Sequence, residues 1–87
     1  MNNPTLHVRI ISPQSVILDT IAKSVSAKNS QGNFDILALH ANFITLVENN
    51  PILIKLDNKK TLTYTYPLSI IFASDNQVNI YTYISNK

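Results

Sequence analysis

The fold class is decided by residues 51–66, which read Pro51-Ile52-Leu53-Ile54-Lys55-Leu56-Asp57-Asn58-Lys59-Lys60-Thr61-Leu62-Thr63-Tyr64-Thr65-Tyr66. An apolar or aromatic side chain recurs at every second position on both sides of a polar segment, residues 57–60. Successive side chains of a β-strand point to opposite faces, so this period of two predicts two strands that each turn one row toward a core. The polar segment between them predicts a hairpin turn.

The same period continues through the rest of the chain, broken by short polar or proline-containing segments. It predicts nine strands, at residues 5–11, 15–19, 21–27, 34–37, 43–48, 51–57, 61–66, 69–73 and 77–84. So many short strands without a helical period predict an all-β sandwich or barrel. Because Gly32 is the only glycine, we expect asparagines to occupy the turn positions that need a positive φ.

The composition fits one small globular domain, residues 1–87, with 45% hydrophobic and 14% charged residues. A net charge of +2 is too small to indicate a nucleic-acid-binding or membrane-binding surface. The chain has no cysteine, which excludes disulfides and thiolate metal sites. It has no signal-peptide pattern and no apolar run near the roughly 20 residues of a membrane-spanning helix, so we expect a cytoplasmic location.

The sequence offers no constellation of catalytic residues. No serine lies in a Gly-x-Ser-x-Gly motif, the carboxylates are scattered, and a single glycine cannot build a phosphate-binding loop. Two histidines, His7 and His40, are too few for a histidine-rich metal site. We therefore expect a non-catalytic protein with no cofactor and no metal.

Four tyrosines leave other functions open. Tyr64, Tyr66, Tyr81 and Tyr83 recur two apart near strand ends and could stack on bases or line a groove for carbohydrate or peptide. Nucleic-acid binding is disfavoured, because only Lys59 and Lys60 adjoin them. Packing within the protein explains the tyrosines more simply, and a stand-alone β-sandwich binding module remains the alternative hypothesis.

The segment with the most specific pattern begins at the only glycine and reads Gly32-Asn33-Phe34-Asp35-Ile36-Leu37-Ala38-Leu39-His40-Ala41. It resembles the Gly-x-Phe/Leu-Gly/Asp-Ile-Leu-Pro-Gly-His-Ala signature of the epsilon subunit of F-type ATP synthases. The resemblance covers about residues 5–84, since the opening strand at 6–13 and the last strand at 78–81 also match in order. The family's Pro-Gly is Ala38-Leu39 here, and its frequent Gly-Gly falls at Leu68-Ser69.

The resemblance implies a β-sandwich of about eight to ten strands, the N-terminal domain of an epsilon subunit. Such a subunit is a non-catalytic part of the central stalk, or rotor, of a proton-translocating enzyme that makes or hydrolyses ATP. Its partners are the gamma subunit and the c-ring, and it touches the membrane only through the c-ring, at the cytoplasmic face of the bacterial inner (plasma) membrane. The family's C-terminal helical hairpin, which can inhibit ATP hydrolysis, is not expected here.

The resemblance also implies positions for both contacts. The family's histidine loop lies against gamma and matches His40, Ala41 and Asn42, whereas its glycine loop faces the c-ring and matches Gln31, Gly32 and Asn33. The residues themselves add apolar candidates for the gamma contact on strands that look apolar on both faces: Ile11 and Tyr83, together with Leu53 and Tyr81.

Overall fold

A computed structural model describes residues 4–39 and 42–83 of the chain as nine β-strands. The strands are β1 (Leu6–Ile11), β2 (Val16–Ala22), β3 (Ser24–Asn29), β4 (Gly32–Leu37), β5 (Phe43–Val47), β6 (Pro51–Lys55), β7 (Thr61–Thr65), β8 (Ser69–Ser74) and β9 (Gln77–Thr82). Each lies at one of the nine predicted positions, which confirms the all-β prediction. The described residues contain no helix long and apolar enough to cross a membrane.

The strands form two sheets, which make the sandwich. The five-stranded sheet has the order β2-β1-β9-β8-β5, and the four-stranded sheet has the order β4-β3-β6-β7. The chain changes sheet after β2, β4, β5 and β7. Neighbouring strands are antiparallel except β1 and β9, which pair in parallel and place the first and last strands side by side.

The largest differences from the predicted strand boundaries are at the junction of β2 and β3. The sequence predicts a second strand ending at residue 19 and a third beginning at 21, whereas β2 continues to Ala22 and β3 begins at Ser24. Pairing with β1 as far as Leu6↔Ala22 holds β2 in the five-stranded sheet. The Lys23 N–H then donates to the Lys55 carbonyl (2.8 Å), so the chain enters the other sheet within a single residue.

The core consists of the inward rows of both sheets. Leu6, Val8 and Ile10 of β1 are at most 1% exposed, which confirms the predicted inward row of the first strand. The other side chains with no more than 1% exposure are Val25, Val47, Ile52, Ile54, Ser69, Ile71, Val78 and Ile80, with Ala22. Burying each large aliphatic side chain stabilises the fold by about 1.5–3 kcal/mol.

The tyrosines divide into two pairs. Tyr64 and Tyr66 are half-buried against the core with their rings stacked 6.3 Å apart at 11°, as the packing interpretation expects. Tyr81 and Tyr83 are 43% and 66% exposed, so neither is a core residue, although Tyr81 pairs with Ile11 and Ile70 across the sheet. Burial and the neighbouring Tyr64 raise the pKa of Tyr66.

The turns use fewer asparagines than expected. Asn49 and Asn76 have positive φ values, as predicted, but Leu39, Lys59 and Asp75 also do. Gly32 has φ +124°, a conformation that side-chain-bearing residues rarely adopt, which explains the glycine without any functional requirement.

Candidate functional site

The outer face of the five-stranded sheet carries the largest set of exposed apolar side chains among the described residues. We call Ile44, Leu46, Ile70, Phe72 and Tyr81, which are between 39% and 66% exposed, the apolar face. Directly paired residues of neighbouring strands share a face of the sheet. The pairings give two rows, Ile11–Tyr81–Ile70–Leu46 and Arg9–Asn79–Phe72–Ile44.

The apolar face is not needed to complete the core. On β5 and β8 the opposite side of each strand already supplies core residues, including Val47, Ile71 and Ala73. Contiguous apolar surface on a soluble domain marks a site of interaction. The arrangement can therefore bury a partner but offers no reacting group.

The outer face of the four-stranded sheet is polar by comparison. Its rows combine Ser26, Lys28, Asp35 and Lys55 with the exposed threonines of β7. Leu53 lies on this face, paired with Ser26 and Thr63. Leu53 therefore lies on the opposite outer face from Ile11 and Tyr81, because β6 belongs to the other sheet.

Two of the residues predicted to contact gamma border the apolar face. Ile11 is half-buried and pairs with Tyr81 across β1 and β9, and Tyr83 directly follows β9 with 66% of its surface exposed. Asn42 is exposed immediately before β5, at the other end of the sandwich. His40 and Ala41 lie outside the described residues.

The residues predicted to contact the c-ring form the tip of the β3–β4 hairpin. Gln31 and Asn33 are exposed and flank Gly32. The Gln31 N–H donates to Asn29 Oδ1 (2.8 Å), and Asn29 Nδ2 donates to Thr45 Oγ1 (3.0 Å) on the other sheet. These bonds hold the base of the hairpin tip against β5, where Ser30 and Leu46 line the same shallow depression.

A polar cluster borders the apolar face on the β1–β2 side. The His7 Nε2–H donates to Asp19 Oδ1 (2.5 Å), and Arg9 Nε lies 3.5 Å from Asp19 Oδ2. The His7 hydrogen bond lowers the pKa of the Asp19 carboxyl below its ordinary value, and the charge of Arg9 acts in the same direction. These charges give the apolar face a polar rim.

The described residues hold no cluster that could bind a metal ion, and the tyrosines considered for a carbohydrate or peptide groove do not line the depression on the polar face. No three His, Cys, Asp or Glu side chains in residues 4–39 and 42–83 converge on a point that could hold a metal ion. A shallow depression of about 370 Å³ on the polar face is lined by residues that include Ser26, Asp35 and Leu53. None of the four tyrosines lines it, and its one aromatic side chain is that of Phe34.

Sequence reasoning missed most of the apolar face. Ile44, Leu46, Ile70 and Phe72 are absent from the predicted contacts, although they contribute most of its exposed surface. The available signal was the pair of nearly unbroken apolar runs at residues 43–47 and 70–73. A strand that is apolar at every position has more apolar side chains than one face of a sandwich can bury.

Comparison with known proteins identifies the fold family. A family model described as "ATP synthase, Delta/Epsilon chain, beta-sandwich domain" matches residues 5–83. No curated protein sequence matches the chain significantly.

Two solved structures are similar to the chain. One is a chain of the Euglena gracilis mitochondrial ATP synthase (OSCP/F1/c-ring), with a TM-score of 0.83, 15% identity and coverage of 93% of this chain and 53% of that one. The other is a chain of the Tetrahymena thermophila mitochondrial ATP synthase (central stalk/c-ring), with a TM-score of 0.74, 13% identity and coverage of 97% and 67%. This chain thus spans about half the length of the Euglena chain. At such identities the likeness shows a shared fold, and it is the family model that assigns the sequence: the chain belongs to the ATP synthase delta/epsilon chain β-sandwich family.

Proposed function

We propose that the chain is a non-catalytic rotor subunit of a proton-translocating F-type ATP synthase and joins the gamma subunit to the c-ring. The observation that carries this proposal is the family match over residues 5–83. Both similar structures come from ATP synthase assemblies that include a c-ring. The subunit would lie at the periphery of the membrane, on the cytoplasmic face, and reach the lipid only through the c-ring.

The apolar face is the proposed contact with gamma. It is the described surface where large side chains gain most from leaving water. Ile70 pairs with Leu46 and Tyr81, and Phe72 pairs with Ile44 on one side and Asn79 on the other. The core of a protein interface is depleted of charge and enriched in aromatic residues, as here. Ile11 and Tyr83, at the border of the face, extend the same contact.

The β3–β4 hairpin is the proposed contact with the c-ring. Its tip presents the neutral polar side chains of Gln31 and Asn33 on a turn that hydrogen bonds hold in place. A neutral tip suits contact by hydrogen bonding and shape. The sandwich between the two contacts can transmit torque, because densely packed interiors are poorly compressible.

Binding to purified gamma tests the proposal, with two aliphatic residues of equal exposure as a matched pair. Ile70 and Leu53 are each 39% exposed but lie on opposite outer faces. We expect Ile70→Asp to weaken gamma binding at least about tenfold, because it buries a charge at the centre of the contact. We expect Leu53→Asp to bind as the unchanged chain does.

Isothermal titration calorimetry measures the affinities, and circular dichroism verifies that both variants fold. If Ile70→Asp and Leu53→Asp lose the same affinity for gamma, the gamma contact lies elsewhere on the molecule. An unchanged chain that ignores gamma at micromolar concentration but retains an oligosaccharide or single-stranded DNA would overturn the rotor function in favour of a binding module.

A further inference from the structure

The strand β5 is an edge of the five-stranded sheet and has a neighbour on one side only. It pairs with β8 from Phe43↔Ala73 to Val47↔Ser69, and no other described strand pairs with it. Its other side therefore presents backbone N–H and C=O groups that another strand can bond. Its exposed side chains, Ile44 and Leu46, are 66% and 53% accessible.

Natural proteins protect edge strands with charges, prolines or bulges, because an open edge invites another strand to pair. Two of the four edges here carry such protection within the strand. On β2 it is Asp19 and an irregular register next to Ile11, and on β4 it is Asp35. The third edge, β7, is made of threonine and tyrosine with one leucine and is followed closely by Pro67.

The sequence of β5, Phe43-Ile44-Thr45-Leu46-Val47, contains no charge, no proline and no glycine. It is also complementary to itself. In an antiparallel pair centred on Thr45, Ile44 faces Leu46 of the second copy and Phe43 faces Val47, so that every facing pair beyond the central one is apolar. Apolar pairs directly opposite each other stabilise a sheet.

The residues that flank the strand agree with this register. Glu48, the first charged residue after β5, faces Asn42 of the second copy, whose amide can donate to a carboxylate. No like charges oppose each other within residues 42–48, and a net charge of +2 per chain adds little repulsion between copies.

We propose that, in the absence of its partners, the chain forms a two-fold symmetric dimer by antiparallel pairing of β5 with β5 of a second copy. The pairing joins two five-stranded sheets into one continuous sheet. In the joined sheet Ile44 and Leu46 lie beside Leu46 and Ile44 of the second copy, so the apolar faces of the two copies become continuous. The dimer itself does not depend on the proposed rotor function.

Sedimentation of the isolated chain from about 5 µM to about 500 µM tests this proposal. We expect the apparent mass to rise from 9.7 kDa toward twice that value as the concentration increases. Leu46→Lys should remain monomeric throughout the range, because it places a charge opposite Ile44 of the second copy. Hydrogen exchange at residues 43–47 should slow in the concentrated sample of the unchanged chain.

Ile70→Lys is the matched control, since Ile70 lies on the apolar face but not on the edge strand. We expect Ile70→Lys to dimerise as the unchanged chain does. A chain that is monomeric at every concentration overturns the proposal and leaves the rotor function untouched. Loss of the dimer in Ile70→Lys but not in Leu46→Lys also overturns it, because the copies then stack their faces. A failure to bind gamma, by contrast, affects only the rotor function.

Discussion

Asp19 is the carboxylate with the clearest electrostatic role in the described structure. It accepts a hydrogen bond from His7 and lies beside Arg9, and together they lower its pKa from an ordinary value of 3.8. A carboxyl with a lowered pKa in the folded state stabilises the fold above its unfolded pKa. That stabilisation is lost as the pH falls through the folded-state pKa of the carboxyl.

The first prediction concerns acid stability. We expect the unchanged chain to exceed Asp19→Asn in unfolding free energy at about pH 5, and the two to converge as the pH falls below the folded-state pKa of Asp19. Added salt should shrink the difference, because Asp19 is at the surface. Urea unfolding at a series of pH values measures it. Asp57→Asn, at a carboxylate 4.0 Å from Lys23 and 80% exposed, controls for removal of one surface charge. If the unfolding free energies of the unchanged chain and Asp19→Asn differ by the same amount at every pH, the prediction is wrong.

The strands were predictable as elements because their signal is local. In β1, β6 and β9 an inward apolar residue alternates with a more polar one, and the period of two can be read without knowing any neighbour. The order of strands in the sheets was not predictable in the same way. The pairing of β1 with β9, from His7↔Gln77 to Ile11↔Tyr81, joins residues at the two ends of the chain. The end of β2 likewise depends on its ladder with β1.

Turn conformation shows a second limit of local patterns. The polar residues 57–60 predict the β6–β7 hairpin correctly, but the positive φ lies at Lys59 rather than Asn58. Asn58 instead accepts a bond from the Lys60 N–H through its side chain (3.0 Å), while the Lys59 N–H reaches the Leu56 carbonyl (3.3 Å). The left-handed position follows the Asn58 turn, where a hairpin of this kind usually has glycine.

The second prediction uses this strained position. Lys59 has φ +69°, which costs a side-chain-bearing residue about 1–2 kcal/mol. Lys59→Gly removes that cost but gives the unfolded chain more freedom, so we expect a net gain in unfolding free energy of about 0.5–1 kcal/mol. Lys60→Gly removes the same charge at a position without positive φ and should destabilise the fold. Urea denaturation measures the unfolding free energies of both variants and of the unchanged chain. A Lys59→Gly variant less stable than the unchanged chain would refute the strain argument.

For the molecule as a whole, the position of the site was only partly predictable. Ile11 and Tyr83 could be named because both faces of their strands look apolar, and the structure places both at the border of the apolar face. The centre of the face, Ile70 with Leu46, is created by the pairing of β8 with β5. No single strand reveals that pairing, nor does any single strand show that Leu53 lies on the other outer face.

The third prediction separates the two proposed contacts of the assembled molecule. The hairpin tip lies next to β5, since Asn29 Nδ2 donates to Thr45 Oγ1. Its exposed side chains, Gln31 and Asn33, are not among the residues of the apolar face. The apolar face lies along one side of the sheet, so a change at the tip should leave it intact. We expect the double variant Gln31→Ala/Asn33→Ala to bind gamma normally but to bind a purified, detergent-solubilised c-ring about fivefold to tenfold more weakly, through loss of two polar side chains. Ile70→Asp should show the opposite pattern.

The turn survives in the double variant, since its hydrogen bond uses the Gln31 backbone N–H and not the side chain. Pull-down with each partner measures both affinities. A tip variant that loses gamma, or keeps full affinity for the c-ring, would show that the hairpin is not the c-ring contact.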